Sequence, residues 1–273
     1  MDKSVFRQLL VRQPASHKYD YGHVLVIGGS PGMVGAPFLS AKAALRIGAG
    51  LVTMASTPEV IDKLEKRVTE IMTLRLSSHA RELTQFISER KVSVIVVGPG
   101  MKAGFANAAL AAIGDIDLPL IVDGGGLAAL SEHHLRAQHL IVTPHLGEFE
   151  RLYMGSVPPD LSEAAKNFAK EKRLILVLKG HPSYISDSGQ AVYQDSSGGP
   201  ELATAGTGDV LSGVIAGVIA QKIKPLPAVK AAVRLHGLAG KIAAELKTVP
   251  GVIASDVIEA IPAALKLVQE EEL

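Results

Sequence analysis

The sequence predicts an α/β protein in which helices cover both faces of a mostly parallel central sheet. Short apolar runs recur along the 273 residues, and each ends at a turn that contains Gly or Pro. Runs such as Val94-Ile95-Val96-Val97 are continuous rather than alternating, as is typical of strands buried on both faces. Helical patterns lie between the runs, which favours a three-layer α/β/α sandwich. We expect residues 1–273 to form one such domain.

The apolar runs predict six strands, at His23–Ile27, Leu51–Ala55, Val92–Val97, Leu120–Val122, Leu140–Val142 and Leu174–Leu178. In the same order, they end at the turns Gly28-Gly29-Ser30, Ser56-Thr57-Pro58, Gly98-Pro99-Gly100, Asp123-Gly124-Gly125-Gly126, Thr143-Pro144 and Lys179-Gly180. Helical patterns predict helices at Pro37–Ile47, Pro58–Lys66, Ala80–Glu89, Gly104–Ile113, Ser162–Lys172, Val210–Gln221 and Ala228–Leu246. The last helix of the chain ends in Glu270-Glu271-Glu272, which we expect to be a solvated tail.

Composition excludes several classes of function. Lys and Arg number 28 against 27 Asp and Glu, so no charge excess favours nucleic acid or an anionic membrane as a partner. The absence of cysteine excludes disulfides, thiolate metal sites and a cysteine nucleophile. The first residues lack the apolar core of a signal peptide, and no apolar stretch reaches the roughly 20 residues of a spanning helix. We therefore expect a soluble, cytoplasmic protein.

A glycine turn that leads into a helix carries the strongest chemical signal. Gly206-Thr207-Gly208 has little side-chain bulk, and an apolar helical pattern follows it. Free backbone N–H groups and the positive end of the helix dipole converge at such a turn, which suits phosphate. Asp209 lies at its mouth, either as a helix cap or as a base for a hydroxyl that attacks the phosphate.

A lone Gly-x-Gly-Asp is more often an ordinary turn with a capping aspartate. Here, however, His145 and Lys179 also follow apolar runs, as do other glycine-rich segments. Ligands of open α/β sheets bind beyond the carboxyl ends of the strands. This clustering favours a functional site.

Several segments, taken in order, carry a family resemblance: Gly22–Ser30, Gly35-Ala36, Ala43–Thr53, Gly98–Met101, Thr143–Glu148, Lys179-Gly180 and Leu202–Gly213. The series resembles the ADP- or ATP-dependent NAD(P)H-hydrate dehydratases, which are repair enzymes with a ribokinase-like fold. The likeness covers roughly residues 17 to 245, and the joint pattern is far more specific than any of its parts.

The resemblance implies that the chain restores NADH or NADPH from the S epimer of the hydrated form. A phosphoryl group from ADP, or alternatively from ATP, is transferred to the ring hydroxyl with Mg²⁺ present, and elimination of phosphate restores the ring. We expect phosphate oxygens and water to hold the Mg²⁺, with no protein metal ligand assigned. The resemblance also implies a stand-alone dehydratase, a separate epimerase in the pathway and a homo-oligomer, with a tetramer favoured.

Site residues follow by resemblance. Asp209 is implied as the base that activates the hydroxyl, and Glu148 as a group that helps organise the metal–phosphate region. Contact with the hydrated substrate is implied for Ala41, Gly100, His145 and Asp209. Contact with the adenine nucleotide is implied for Lys179, Gly180, His181, Pro182, Ser183, Gly206, Thr207 and Gly208.

Three positions depart from the family pattern. Gly124-Gly125-Gly126 replaces a loop that commonly has a second aspartate, Leu146 replaces a proline, and Gly199-Pro200-Glu201 replaces Asn-Pro-Gly. The first departure bears on metal or phosphate coordination. The last brings a carboxylate close to the nucleotide and bears on the choice of donor.

Two other functions stay open at this point. A thiazole or hydroxymethylpyrimidine kinase of the same superfamily would share the anion loop and the aspartate base. A non-catalytic nucleotide-binding regulator is suggested by the triple glycine at 124–126, although the intact Asp209 speaks against it. The preference for ADP over ATP rests on resemblance alone.

Overall fold

The computed structural model describes residues 4–76, 80–133, 135–153 and 155–270. Its strands are β1 (His23–Ile27), β2 (Leu51–Ser56), β3 (Met72–Arg75), β4 (Val94–Val97), β5 (Pro119–Val122), β6 (His139–Val142), β7 (Ile175–Leu178), β8 (Ser183–Asp187) and β9 (Tyr193–Asp195). Its helices are α1 (Ser4–Leu10), α2 (Gly35–Arg46), α3 (Pro58–Leu64), α4 (Ala80–Glu89), α5 (Ala103–Ile113), α6 (Gly125–Ala129), α7 (Leu146–Tyr153), α8 (Leu161–Lys172), α9 (Thr207–Ala220), α10 (Pro225–Leu246) and α11 (Ala254–Glu270).

The strands form one sheet in the order β3-β2-β1-β4-β5-β6-β7-β8-β9. The pairs from β3 to β7 are parallel, and β8 and β9 are added antiparallel at one edge. All six predicted strands are present, with small shifts of their ends. The sequence did not predict β3, β8 and β9, because strands at or near a sheet edge mix polar with apolar residues and lack a continuous apolar run.

The central strands are buried on both faces, as predicted. Every residue of β1, β4, β5 and β7 is buried. Alternate residues enter two separate apolar clusters: Val24 and Val26 pack with α2, α9, α10 and α11, whereas Leu25 and Ile27 pack with α4, α5 and α8. The three-layer α/β/α arrangement is therefore confirmed, while the extent of a single domain over residues 1–273 stays a prediction.

The seven helices predicted by name are present, with ends displaced by up to three residues. The sequence did not predict α1, α6 and α7. Helix α6 begins within the predicted turn after β5, and α7 begins two residues after Pro144, so the Gly and Pro residues of the turns obscure the start of each helix. Of the predicted acidic tail, Glu271 and Glu272 lie outside the described residues. Among the described residues, no helix has the length and apolar character needed to cross a membrane.

Candidate active site at the carboxyl ends of the strands

The predicted glycine turn lies at the start of α9. Gly206 caps the helix with φ of 92°, a left-handed conformation, and a Cβ there would come within 2.6 Å of Leu39 Cδ1. The N–H of Val210 donates the first helical hydrogen bond, to the Gly206 carbonyl at 3.0 Å. The N–H groups of residues 207–209 therefore have no acceptor within the helix and are available to an anion.

The Thr207 side chain holds the turn rather than facing the anion site. Its hydroxyl lies 2.8 Å from the Leu202 carbonyl and 3.0 Å from the Thr204 carbonyl, so its proton is used within the protein. The contribution of Thr207 to anion binding is thus its backbone N–H. The hydroxyl ties the start of α9 to the segment that precedes it.

Asp209 has the electrostatics of a base that works at neutral pH. Burial is the main cause that raises its pKa from 3.8 to about 7, and the negative charges of Asp123 and Glu148 act in the same direction. The Lys179 ammonium partly opposes them. A carboxylate whose pKa is near the working pH is well suited to accept a proton from a hydroxyl.

Lys179 joins the acidic residues to the start of α9. Its Nζ donates to Asp123 Oδ1 at 2.9 Å and lies 3.9 Å from Glu148 Oε2. The same Nζ would be 3.2 Å from a Cβ added at Gly208, so it reaches the first turn of the helix. Burial alone would lower the pKa of Lys179, but the nearby carboxylates raise it above its ordinary value, which keeps the ammonium charged.

Asp123 is a site residue to which the sequence assigned no role. It follows β5 directly, is almost fully buried and accepts a hydrogen bond from the Thr143 hydroxyl at 2.8 Å. Together with the Lys179 contact, this bond fixes its carboxylate beside the Lys179 ammonium. A single aspartate after an apolar run is a weak signal, and only the neighbouring strands show what it contacts.

His145 and Glu148 hold each other at the start of α7. The His145 N–H donates to Glu148 Oε2 at 2.9 Å, and the Glu148 N–H donates to His145 Nδ1 at 3.3 Å. The Lys179 N–H donates to the Pro144 carbonyl at 2.8 Å, which links this turn to the end of β7. The His145 side chain is 58 % exposed, so its ring is accessible to a ligand.

A cavity of about 430 Å³ extends from the start of α9 to α10. Six of the eight residues predicted to contact the nucleotide line it: Lys179, Gly180, His181, Ser183, Thr207 and Gly208. His145 also lines it, whereas Pro182, Gly206 and Asp209 do not. The far wall consists of Val233, His236 and Gly237 of α10, which the sequence did not single out.

The two small residues predicted to contact the substrate have different surroundings. Ala41 of α2 is fully buried in an apolar cluster. Gly100 has φ of 65°, and a Cβ there would lie 2.6 Å from the Met33 carbonyl oxygen; its own carbonyl accepts from the Ser30 hydroxyl at 2.8 Å. The backbone here allows no side chain at position 100, and the contact of both residues with substrate stays a prediction.

Packing accounts for two of the three glycines at 124–126. A Cβ at Gly125 would lie 2.1 Å from the Met101 carbonyl oxygen, and one at Gly126 would lie 2.9 Å from that of Val97. The backbone approaches so closely that an aspartate at either position would force it apart. That the triple glycine bears on metal or phosphate coordination stays a prediction.

The structure also describes the surroundings of Leu146 and Glu201, the other two departures from the family pattern. Leu146 is exposed at the first position of α7. Glu201 is buried behind the cavity wall, where a Cβ at Gly199 would lie 2.7 Å from its Oε2. Its Oε1 has no hydrogen-bond partner among the described residues. The carboxylate is therefore close to the cavity without lining it.

The family model for NAD(P)H-hydrate dehydratase matches residues 24–263, which include every site residue above. The chain belongs to the NAD(P)H-hydrate dehydratase family. One relative of this family member is the bifunctional NAD(P)H-hydrate repair enzyme Nnr of Coxiella burnetii, which is 38 % identical over 93 % of the chain and 52 % of its own length. The chain thus spans about half the length of such bifunctional relatives.

Other members match along nearly their whole length. The ADP-dependent (S)-NAD(P)H-hydrate dehydratase of Listeria monocytogenes is 33 % identical, covering 96 % of the chain and 94 % of the relative. A Bacillus subtilis ADP/ATP-dependent NAD(P)H-hydrate dehydratase, co-crystallized with ATP/Mg²⁺, has a TM-score of 0.83 and 27 % identity, over 98 % and 97 % of the two chains. At the level of fold alone, Arabidopsis thaliana ribokinase has a TM-score of 0.56 at 13 % identity, covering 88 % and 98 %. The predicted ribokinase-like fold and family are confirmed.

Proposed function

We propose that this family member dehydrates the S epimer of hydrated NADH or NADPH, with ADP, or alternatively ATP, as phosphoryl donor. One observation carries the proposal: Asp209, with its pKa raised to about 7, lies in the first turn of the helix whose free N–H groups suit a phosphate. The matching length of the Listeria monocytogenes relative, which is named for this ADP-dependent reaction, supports it.

The reaction follows from what these groups can do. Asp209 takes the proton of the ring hydroxyl as that oxygen attacks the terminal phosphorus, and the bond from this phosphorus to the leaving nucleotide breaks. The N–H groups of residues 207–209 and the Lys179 ammonium neutralise the charge that builds on the transferred group. Phosphate, a far better leaving group than hydroxide, then leaves the ring with the electron pair of the C–O bond, the neighbouring ring carbon loses a proton to solvent, and the double bond returns. With ADP the products are NAD(P)H, AMP and phosphate.

Magnesium fits this site as a companion of the polyphosphate. Among the described residues, no cluster of three or more His, Cys, Asp or Glu side chains could hold a metal by itself. A Mg²⁺ ion would therefore be bound mainly by phosphate oxygens and water, and it would supply charge neutralisation there. Glu148, a partly exposed carboxylate beside Lys179, is the group we assign to orient its water shell.

The two ligands occupy different parts of the site. Lys179, Gly180, His181 and Ser183 line the cavity assigned to the nucleotide. His145 is at its edge with an exposed ring, in position to contact the hydrated cofactor. Asp209, in the first turn of α9, is the residue we assign to the hydroxyl that is brought to the phosphate.

The assay is the return of absorbance at the reduced-nicotinamide band. Hydrated NADH or NADPH is mixed with the protein, Mg²⁺ and either ADP or ATP, and product phosphate and AMP are measured in parallel. Absorbance that returns only with nucleotide supports the proposal. A stable phosphate ester of a thiazole alcohol or hydroxymethylpyrimidine, formed without any such absorbance, would indicate a kinase instead. The tetramer, the separate epimerase and the cytoplasmic location stay predictions.

A further inference from the structure

Thr143 is a fully buried polar residue to which the proposed reaction gives no part. It directly follows β6, and its hydroxyl donates to Asp123 Oδ1 at 2.8 Å. The Val122 carbonyl is a second acceptor at 3.5 Å, so the carboxylate has the stronger bond. The backbone N–H of Thr143 already donates to that carbonyl at 3.2 Å. The pairing of β6 with β5 therefore does not require the hydroxyl.

The same carboxylate oxygen accepts a hydrogen bond from Lys179. Asp123 Oδ1 is 2.9 Å from the lysine Nζ, whereas Glu148 Oε2 is 3.9 Å from it, which is beyond hydrogen-bond distance. Asp123, Thr143 and Lys179 follow three neighbouring parallel strands, β5, β6 and β7. Thr143 and Asp123 are buried, while 20 % of the Lys179 side chain is exposed and lines the nucleotide cavity. A chain of hydroxyl, carboxylate and ammonium thus runs from the core to the cavity.

A lysine requires such an anchor if its charge is to stay in one place. Its ammonium is a compact charge on a flexible four-carbon stem, so many rotamers are open to it. In the rotamer that Asp123 holds, Nζ would be 3.2 Å from a Cβ added at Gly208, in the first turn of α9. The free N–H groups of that turn suit phosphate. The bond from Thr143 limits the rotation of the Asp123 carboxylate and so fixes the anchor itself.

We infer that Thr143 is a positioning residue for phosphoryl transfer: its hydroxyl orients the Asp123 carboxylate, which in turn holds the Lys179 ammonium at the first turn of α9. Thr143 does not line the nucleotide cavity, so it acts through the other two residues. This inference rests on the proposed function, because it needs the phosphates of the donor at this turn. Its consequence is that the hydroxyl affects ADP as long as Lys179 is present, and not otherwise.

The test removes the hydroxyl in the presence and in the absence of Lys179. Thr143→Val keeps the shape of the side chain and Thr143→Ser keeps the hydroxyl; calorimetry with Mg²⁺ present gives the Kd of ADP for each variant in the wild-type and the Lys179→Ala background. Thr53→Val is the matched control, because Thr53 is equally buried, its hydroxyl pairs with His23 Nε2 at 2.8 Å, and it does not line the nucleotide cavity. Thr143→Ala takes the place of Thr143→Val if the latter does not fold.

We expect Thr143→Val to raise the Kd of ADP about threefold to tenfold, less than Lys179→Ala does, and Thr143→Ser to restore it. In the Lys179→Ala background, Thr143→Val should have no further effect, because the ammonium that the hydroxyl positions is gone. The pH at which activity falls on the acidic side should rise in Thr143→Val, since a displaced ammonium no longer lowers the pKa of Asp209. Thr53→Val should change neither quantity.

Three results would overturn the inference and leave the proposed function standing. If Lys179→Ala weakens ADP binding but Thr143→Val does not, the hydroxyl does not position the ammonium. If Thr143→Val causes the same loss in both backgrounds, it acts independently of Lys179. If Thr53→Val causes a similar loss, the effect is a general one of a missing buried hydroxyl. A wild-type protein that binds no ADP would instead contradict the proposed function, and the inference would fail with it.

Discussion

Replacing Asp209 by Asn should lower activity and raise stability at the same time. The substitution removes the base, so we expect turnover to fall by about 10²–10⁴-fold. It also removes a buried negative charge that faces Asp123 and Glu148. The same carboxylate therefore supports turnover and lowers the stability of the folded protein, and both effects can be measured on this one variant.

The size of the stability effect follows from the pKa. The pKa of Asp209 rises from 3.8 to about 7, and this difference of about 3 corresponds to a loss of folding stability of at most about 4 kcal/mol. Below pH 4 the carboxyl is protonated in both the folded and the unfolded protein, so it does not lower the free energy of unfolding. As the pH rises from 4 to 7, the unfolded chain loses the proton first, so the folded protein loses stability until both states are ionised above pH 7. The Asn variant lacks this loss.

Urea unfolding followed by circular dichroism at pH 5 and pH 8 measures the effect, with the absorbance assay on the same samples. The advantage of Asp209→Asn over wild type should be larger at pH 8. Asp160→Asn is the control: Asp160 is the exposed cap of α8, its Oδ1 accepts from the N–H groups of Ser162 and Glu163 at 2.9 and 3.1 Å, and Asn caps a helix comparably. Near-normal turnover of Asp209→Asn would refute its role as the base. A stability advantage that does not grow with pH would refute the raised pKa.

Three further results are expected. The wild-type rate should have an acidic limb with a midpoint near pH 7 and fall about tenfold per pH step well below it, since ionised Asp209 is the active form; a rate that is constant from pH 5 to 8 would contradict this. Lys179→Ala should raise the KM for ADP more than that for the hydrated cofactor, and it should move the acidic limb of the rate profile to higher pH. His145→Ala should raise chiefly the KM for the hydrated cofactor. If both variants weakened the binding of the same ligand, the two subsites would be misassigned. Excess EDTA should abolish turnover and added Mg²⁺ restore it, and full activity in EDTA would exclude the metal.

The sequence by itself determined the core of the fold and the kind of chemistry. Continuous apolar runs such as Val94–Val97 are buried on both faces because nothing polar interrupts them, so the central parallel strands were predictable. The glycine turn before α9 was predictable for a similarly local reason, since Gly206 needs a left-handed conformation and the helix starts at once. With Asp209 following, the family pattern and a phosphate-binding site could be predicted from neighbouring residues alone.

Tertiary structure decided how the site residues act on one another. Asp123, Thr143 and Lys179 come from the ends of three different strands, and only the order of those strands in the sheet brings their polar atoms to 2.8–2.9 Å. His236 is 27 residues beyond Asp209 on another helix, and its exposure to the cavity depends on how α10 packs against the segment before α9. Burial and the charges of distant residues raise the pKa of Asp209 and lower that of His236, and neither cause is a property of the local sequence.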